Sequence, residues 1–219
     1  MQIIAVNASP RKNRNTAVIL QHVLDGARAA APEAQTELLH LYDYSFTGCR
    51  SCFQCKRLGG KHYGRCAVKD GISPVLEKLT RADAIVFGTP IYFSEVTGML
   101  RMLEERLLFP WFVYAEGWPS LAPKKIRSAF VYTMNLPEAA MREWGYPERL
   151  GKMEATVGGV LGCPPEALYV CDTTQFDDYS KFKCDVFSGE DKARWREAHF
   201  PEDCKKAEAL GARLARTEG

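Results

Sequence analysis

The chain has 219 residues, 46% hydrophobic and 26% charged, with 17 Gly and 12 Pro, a composition that excludes collagen-like, coiled-coil and disordered chains. Its 29 Lys and Arg stand against 27 Asp and Glu, a net +2, too balanced to point to nucleic acid or an anionic membrane surface. No apolar run approaches the roughly 18 residues of a membrane helix, and the length suits a single domain over 1–219 that folds without disulfides or metal.

Residues 3–6 form a short unbroken apolar block, as expected for a strand covered on both faces of a parallel sheet. The block is too short for a signal-peptide core, so the expected compartment is the cytosol, with the eight cysteines as thiols. Leu20, Val23, Leu24 and Ala27 then recur at helical spacing. The more mixed stretch 36–41 suits an edge strand. Ile72, Val75, Leu76 and Leu79 predict a second helix, residues 84–87 a third strand, and Leu100, Leu103 and Leu107 a third helix. Strands over 129–132 and 168–171 follow, and Ala207, Leu210 and Leu214 mark a last helix within a C-terminal extension from about 173. Strand alternating with helix predicts an α/β fold, a doubly wound five-stranded parallel sheet in the flavodoxin-like order 2-1-3-4-5, with helices on both faces. Ligands of such sheets bind beyond the carboxyl ends of the strands.

The segment 7–16, Asn-Ala-Ser-Pro-Arg-Lys-Asn-Arg-Asn-Thr, joins the first strand to the first helix. A helix N-terminus offers free N–H groups and a positive dipole end to a phosphate. Ser9, Asn15 and Thr16 add neutral donors there, and Arg11 adds charge. The loop has neither the Walker A pattern nor the Gly-x-Gly-x-x-Gly turn, so a terminal monophosphate suits it better than a pyrophosphate. The alternative is that Asn15 and Thr16 cap the helix, with Arg11, Lys12 and Arg14 as a solvated surface. After the third strand comes Gly-Thr-Pro-Ile-Tyr-Phe at 88–93. Its bulky residues would either border a flat ring system or belong to the core.

Taken together, the motifs at 7–16 and 88–93 resemble the NADPH-dependent FMN reductases of the flavodoxin-like superfamily. The cysteine-rich stretch 48–70 is similar to the iron–sulfur flavoprotein branch, as are 106–110, 178–181 and 200–204. The resemblance implies FMN, with Ser9, Arg11, Asn15 and Thr16 at its phosphate and Pro90, Ile91, Tyr92 and Phe93 beside the isoalloxazine ring. Thr133 and Asn135, in the loop after the fourth strand, would reach the ring or ribityl chain from the other side. The implied activity is an FMN-dependent oxidoreductase taking electrons from NAD(P)H to a quinone, flavin or other small-molecule or protein acceptor. No side-chain acid or base is needed, so no catalytic residue is assigned. Relatives of this type imply a homodimer or homotetramer. A different class remains open: an FMN and iron–sulfur electron carrier without turnover of its own, or a cysteine-based redox or metal sensor.

Cys49, Cys52 and Cys55 make Cys-x2-Cys-x2-Cys, and Cys66 follows after ten residues. Four thiolates so spaced suit a 4Fe-4S cluster, and Gly59, Gly60 and Gly64 would let the chain bring Cys66 back. Zinc, held with His62 or Cys66, and free thiols are the alternatives. Cys163, Cys171, Cys184 and Cys204 lack ligand spacing and are expected to pack as small apolar residues. Trp111, Phe112, Tyr114 and Trp118 read either as a lid or dimer surface or as a hydrophobic cluster under a loop. Gly158, Gly159 and Gly162 are expected to form a turn. The four histidines form no recognisable hydrolase triad with Ser or Cys.

Overall fold

The computed structural model describes residues 1–216. In chain order its elements are β1 (Gln2–Asn7), α1 (Asn15–Ala30), β2 (Gln35–His40), α2 (Ser73–Leu79), β3 (Ala84–Tyr92), β4 (Glu95–Val96) and α3 (Gly98–Leu108). They continue as β5 (Arg127–Thr133), α4 (Glu138–Glu143), α5 (Tyr146–Leu161), β6 (Glu166–Val170) and α6 (Gly189–Ala215). Five strands form one parallel sheet in the order β2-β1-β3-β5-β6, the flavodoxin-like order expected from the apolar blocks.

The addition is β4. β3 does not end at Phe87 but continues through Tyr92, then turns through Phe93 and Ser94, at φ 51° and 64°, into β4. Two successive left-handed residues make the turn that matches the twist of a hairpin, although Gly or Asn usually fills such positions.

Alternation along the strands splits the core into two unequal layers. Ile4, Ile85, Phe87, Phe130 and Tyr132 face α2, α3 and α5, whereas Ala5, Ala84, Val86, Ala129 and Val131 face α1 and α6. The smaller side chains let α1 and α6 lie close to the sheet and to each other. A Cβ at Gly26 would stand 2.0 Å from the Glu208 carbonyl oxygen, and one at Gly211 only 1.8 Å from that of Val23. The two helices therefore touch through their backbones.

Two further sequence expectations are corrected. Gly158 and Gly159 lie inside α5, not in a turn; only Gly162 leaves the helix, at φ 81°, as its C-cap. Gly158 has a packing reason to be there, since a Cβ would meet Pro165 Cδ at 2.7 Å. Asn15 and Thr16 are not helix caps either. They are the first two residues of α1, and the capping position falls on Arg14, whose side chain makes no capping bond. No helix of the described residues is long and apolar enough to cross a membrane.

Candidate functional site

A cleft of about 610 Å³ opens at the carboxyl ends of β1, β3 and β5, where this topology places ligands. The loop after β1 is shaped from within: Asn7 Oδ1 accepts from Ser9 N at 3.0 Å, and Ser9 Oγ accepts from Arg11 N at 3.2 Å. Thr97, the N-cap of α3, donates to the Ala8 carbonyl at 3.1 Å and so ties this loop to the turn after β4. The uncapped first turn of α1 thus faces the cleft with its N–H groups free of side-chain partners.

Nine of the ten residues expected at the cofactor line this one cleft: Ser9, Arg11, Asn15, Thr16, Pro90, Ile91, Tyr92, Thr133 and Asn135. Phe93 does not; it is wholly exposed at the β3–β4 turn. Thr16 and Thr133 share a buried hydroxyl–hydroxyl bond of 2.7 Å that joins the α1 and β5 sides.

The far wall is a strap over 173–182 that residue types alone do not reveal. Thr174 O accepts from Asn15 Nδ2 at 2.9 Å, Gln175 O from Arg11 at 2.6 Å, and Gln175 Oε1 from Asn135 Nδ2 at 2.6 Å. Asp177 pairs with Arg14. Phe176 stacks on Phe182 with centroids 4.1 Å apart, which gives the wall an aromatic surface. Two side chains of α6 support the site from behind. Arg196 donates to Asn15 Oδ1 at 2.7 Å, and the buried Lys192 holds Asn135 O and Asp172. Hence both polar ends of the Asn15 amide are committed to the C-terminal region, whereas Ser9, Thr16, Arg11, Arg14 and Lys181 line the cleft beside the first-turn amides of α1.

These observations fit FMN. The volume lies within the range of small-molecule sites, a helix N-terminus with an adjacent guanidinium supplies the phosphate end, and Ile91, Tyr92, Phe176 and Phe182 supply apolar walls.

The cysteine loop forms a separate centre. Cys49, Cys52, Cys55 and Cys66 line one cavity of about 20 Å³, walled by Phe53, Phe109 and Pro110. α3 grips the loop through neighbouring residues. Glu105 Oε2 accepts from Cys49 N at 2.9 Å, and Arg106 Nε donates to Cys66 Sγ at 3.0 Å. Arg106 also donates to Thr47 O and Val68 O and pairs in a fork with Asp70. This guanidinium holds the Asp70 carboxyl below the usual range. Burial pushes the Cys55 thiol up and the Lys56 ammonium down. Among the described residues no three His, Cys, Asp or Glu side chains come together around a single metal ion, so neither the zinc arrangement nor the four-cysteine cluster arrangement is assembled in this structure. Four thiols on one cavity match the donor set of an iron–sulfur cluster. The cavity has room for about one water, so loading would require the loop to open.

Elsewhere, burial pushes the Cys171 thiol up to about 12, in line with a packing role. Trp111 is buried, while Phe112, Tyr114 and Trp118 pack on one another, Phe112 and Trp118 stacked at 5.3 Å, with Tyr114 and Trp118 exposed. The segment is a local cluster with an exposed outer side.

The family described as NADPH-dependent FMN reductase matches residues 1–115. An iron-sulfur flavoprotein of Archaeoglobus fulgidus is 42% identical over 106 residues, 48% of this chain and 48% of that protein. The chain thus spans about half the length of the curated relatives it matches. An NAD(P)H:quinone oxidoreductase from Methanothermobacter marburgensis superposes with a TM-score of 0.70 at 15% identity, covering 100% of this chain and 99% of the other. An FMN-dependent NADH-azoreductase from Bacillus anthracis, in complex with FMN, gives 0.66 at 14% identity over 99% and 100%. At such identities the two structures speak for the fold, and the sequence match carries the assignment: the chain belongs to the NADPH-dependent FMN reductase family.

Proposed function

We propose that the protein is an FMN-dependent oxidoreductase that takes electrons from NAD(P)H and passes them to a quinone, flavin or other small acceptor. The observation that carries this is the uncapped N-terminus of α1 opening, beside Arg11, into the 610 Å³ cleft between the ends of β3 and β5. Bound FMN supplies hydride acceptance and electron release. The chain's part is to hold and orient it. Ser9, Thr16, the first-turn amides of α1 and Arg11, turned from Gln175 O, bind the phosphate. Pro90, Ile91 and Tyr92 border one side of the ring, with backbone groups of 91–93 along its edge, and Thr133 and Asn135 approach from the other. Phe93 reaches the ring only if the β3–β4 turn folds inward. The relatives' names, and the four cysteines that line one cavity, support a 4Fe-4S cluster that Cys49, Cys52, Cys55 and Cys66 would hold once the loop rearranges. The exposed face of Trp118 supports a homodimer or homotetramer, and thiol-rich chemistry of this kind suits the cytosol.

The test is an anaerobic absorption spectrum of the purified protein before and after NADPH. Two flavin bands that bleach on addition establish the reductase, and a broad shoulder at longer wavelength adds the cluster. Flavin bands that persist, with no steady-state NADPH oxidation, favour an electron carrier. A featureless spectrum after FMN is supplied sinks the reading.

A further inference from the structure

A second groove, of about 590 Å³, runs between α3 and α5 and reaches Cys49 and Ser51 of the cysteine loop. It shares no lining residue with the cleft at the strand ends. Phe109, Phe112 and Tyr114 line it together with Met153 and Val157 of α5. Within this apolar lining stands Glu104, only 5% exposed. Its Oε2 accepts from Arg101 at 3.2 Å, but its Oε1 is buried without any partner. The neighbouring Glu105, by contrast, uses its Oε2 on Cys49 N.

Buried carboxylate oxygens are nearly always paired, and an unpaired one calls for a donor. Largely apolar and aromatic walls with a few placed polar groups are the pattern of a small-molecule site; here Ser51, Arg101, Glu105 and Thr156 share the lining, and Glu104 Oε1 is the one buried acceptor of these without a partner among the described residues. We propose that this groove binds a flat aromatic molecule carrying a hydroxyl group, its ring against Phe112 and Tyr114 and its O–H donated to Glu104 Oε1. The chemistry is that of a phenol or naphthol. An aromatic ring suits the aromatic wall, and a neutral donor suits an acceptor already in contact with one cation. The site is independent of the flavin reading, because it uses none of the residues assigned to FMN.

The probe is 2-naphthol, with 2-methoxynaphthalene as the control that keeps the rings and loses the donor. Binding is measured by isothermal titration calorimetry on the full chain with FMN added to saturation, so that the other cleft does not compete; omitting FMN should leave the groove's preference unchanged. The expected result is at least tenfold tighter binding of 2-naphthol, a preference that Glu104→Leu removes. Thr156→Trp, at an exposed position on the groove rim, should block both probes. It keeps the test valid if Glu104→Leu fails to fold, as judged by near-ultraviolet circular dichroism. Equal affinity for the two probes, or a preference that survives either substitution, overturns the proposal. So does absence of binding in a protein that Thr156→Trp converts from oligomer to monomer, for the groove is then a subunit interface.

Discussion

Arg106 commits all five donors of its guanidinium to the segment that carries the cysteines: Cys66 Sγ, Thr47 O, Val68 O and both oxygens of Asp70. It is 2% exposed, so its removal strands a half-buried carboxylate and two carbonyls. Arg106→Met should cost about 3–5 kcal/mol, visible as a lower urea midpoint, and Arg106→Lys should recover only part because a point charge cannot replace the fork. An unchanged midpoint in both variants would show that the clamp is dispensable. Glu104 poses the opposite case. Burial raises its pKa from 4.5 to about 7, so the folded state holds a proton that the unfolded state releases. Below pH 4.5 there is no penalty. Between 4.5 and 7 the penalty grows, and above 7 it levels off at up to about 3 kcal/mol. Glu104→Gln, which mimics the protonated side chain, should therefore match the wild type at about pH 4 and exceed it in stability at about pH 8. Denaturant melts at the two pH values would expose an error in that sign.

At the level of elements, the α1–α6 crossing makes the sharpest demand on sequence. Both Gly26 and Gly211 face carbonyl oxygens of the opposing helix, which lie 2.0 and 1.8 Å from where a methyl carbon would stand, and backbone cannot yield as a side chain would. Either Gly→Ala change should cost about 3 kcal/mol or more, a fall of roughly 6–12 °C in midpoint by calorimetry. The double variant should lose less than the sum, since the first methyl already parts the helices. Which elements are legible in the sequence follows from where they lie. β1, β3 and β5 show as apolar blocks because helices cover both faces, and the half-buried β2 reads as mixed because it is an edge; β6, the other edge, shows an apolar block although only its Val170 is buried. The glycines of α5 disguise it as a turn, yet Leu150, Met153, Val157 and Val160 repeat at helical spacing and are all buried; that stripe is the available signal. The front half of α6 is polar and shows none. The cleft divides in the same way. Its loops after β1, β3 and β5 follow from topology and motif, whereas the strap over 173–182 is positioned by tertiary bonds such as Arg11 to Gln175 O, for which local sequence has no signature. Phe93 illustrates the limit of motif reading: its place in the chain suggests a ring contact, and a left-handed turn carries it into solvent.

For the whole molecule, the cleft joins distant parts of the chain, so a ligand there stabilises the fold as a unit. FMN at about a hundred times its dissociation constant should add about 2.7 kcal/mol, or roughly 5–10 °C in calorimetric midpoint for a chain of this length. Ser9→Ala together with Thr16→Val should shrink that shift while changing the FMN-free midpoint less. No shift with the natural chain would remove FMN from the cleft.

The strap and α6 also set an order of events during synthesis. A ribosome releases this chain from its N-terminus at about 5–20 residues per second, so the loop over 9–16 emerges well before the residues that complete its site. Thr174, Gln175, Lys192 and Arg196 all follow β6 in the chain and appear only after it. Until they dock, Asn15 and Arg11 have none of their tertiary partners, and the apolar side of α1 has no α6 against it. A nascent chain halted after β5 could therefore pair its first strands but would lack the cleft's far wall, and cofactor capture would have to wait until the strap and α6 have emerged.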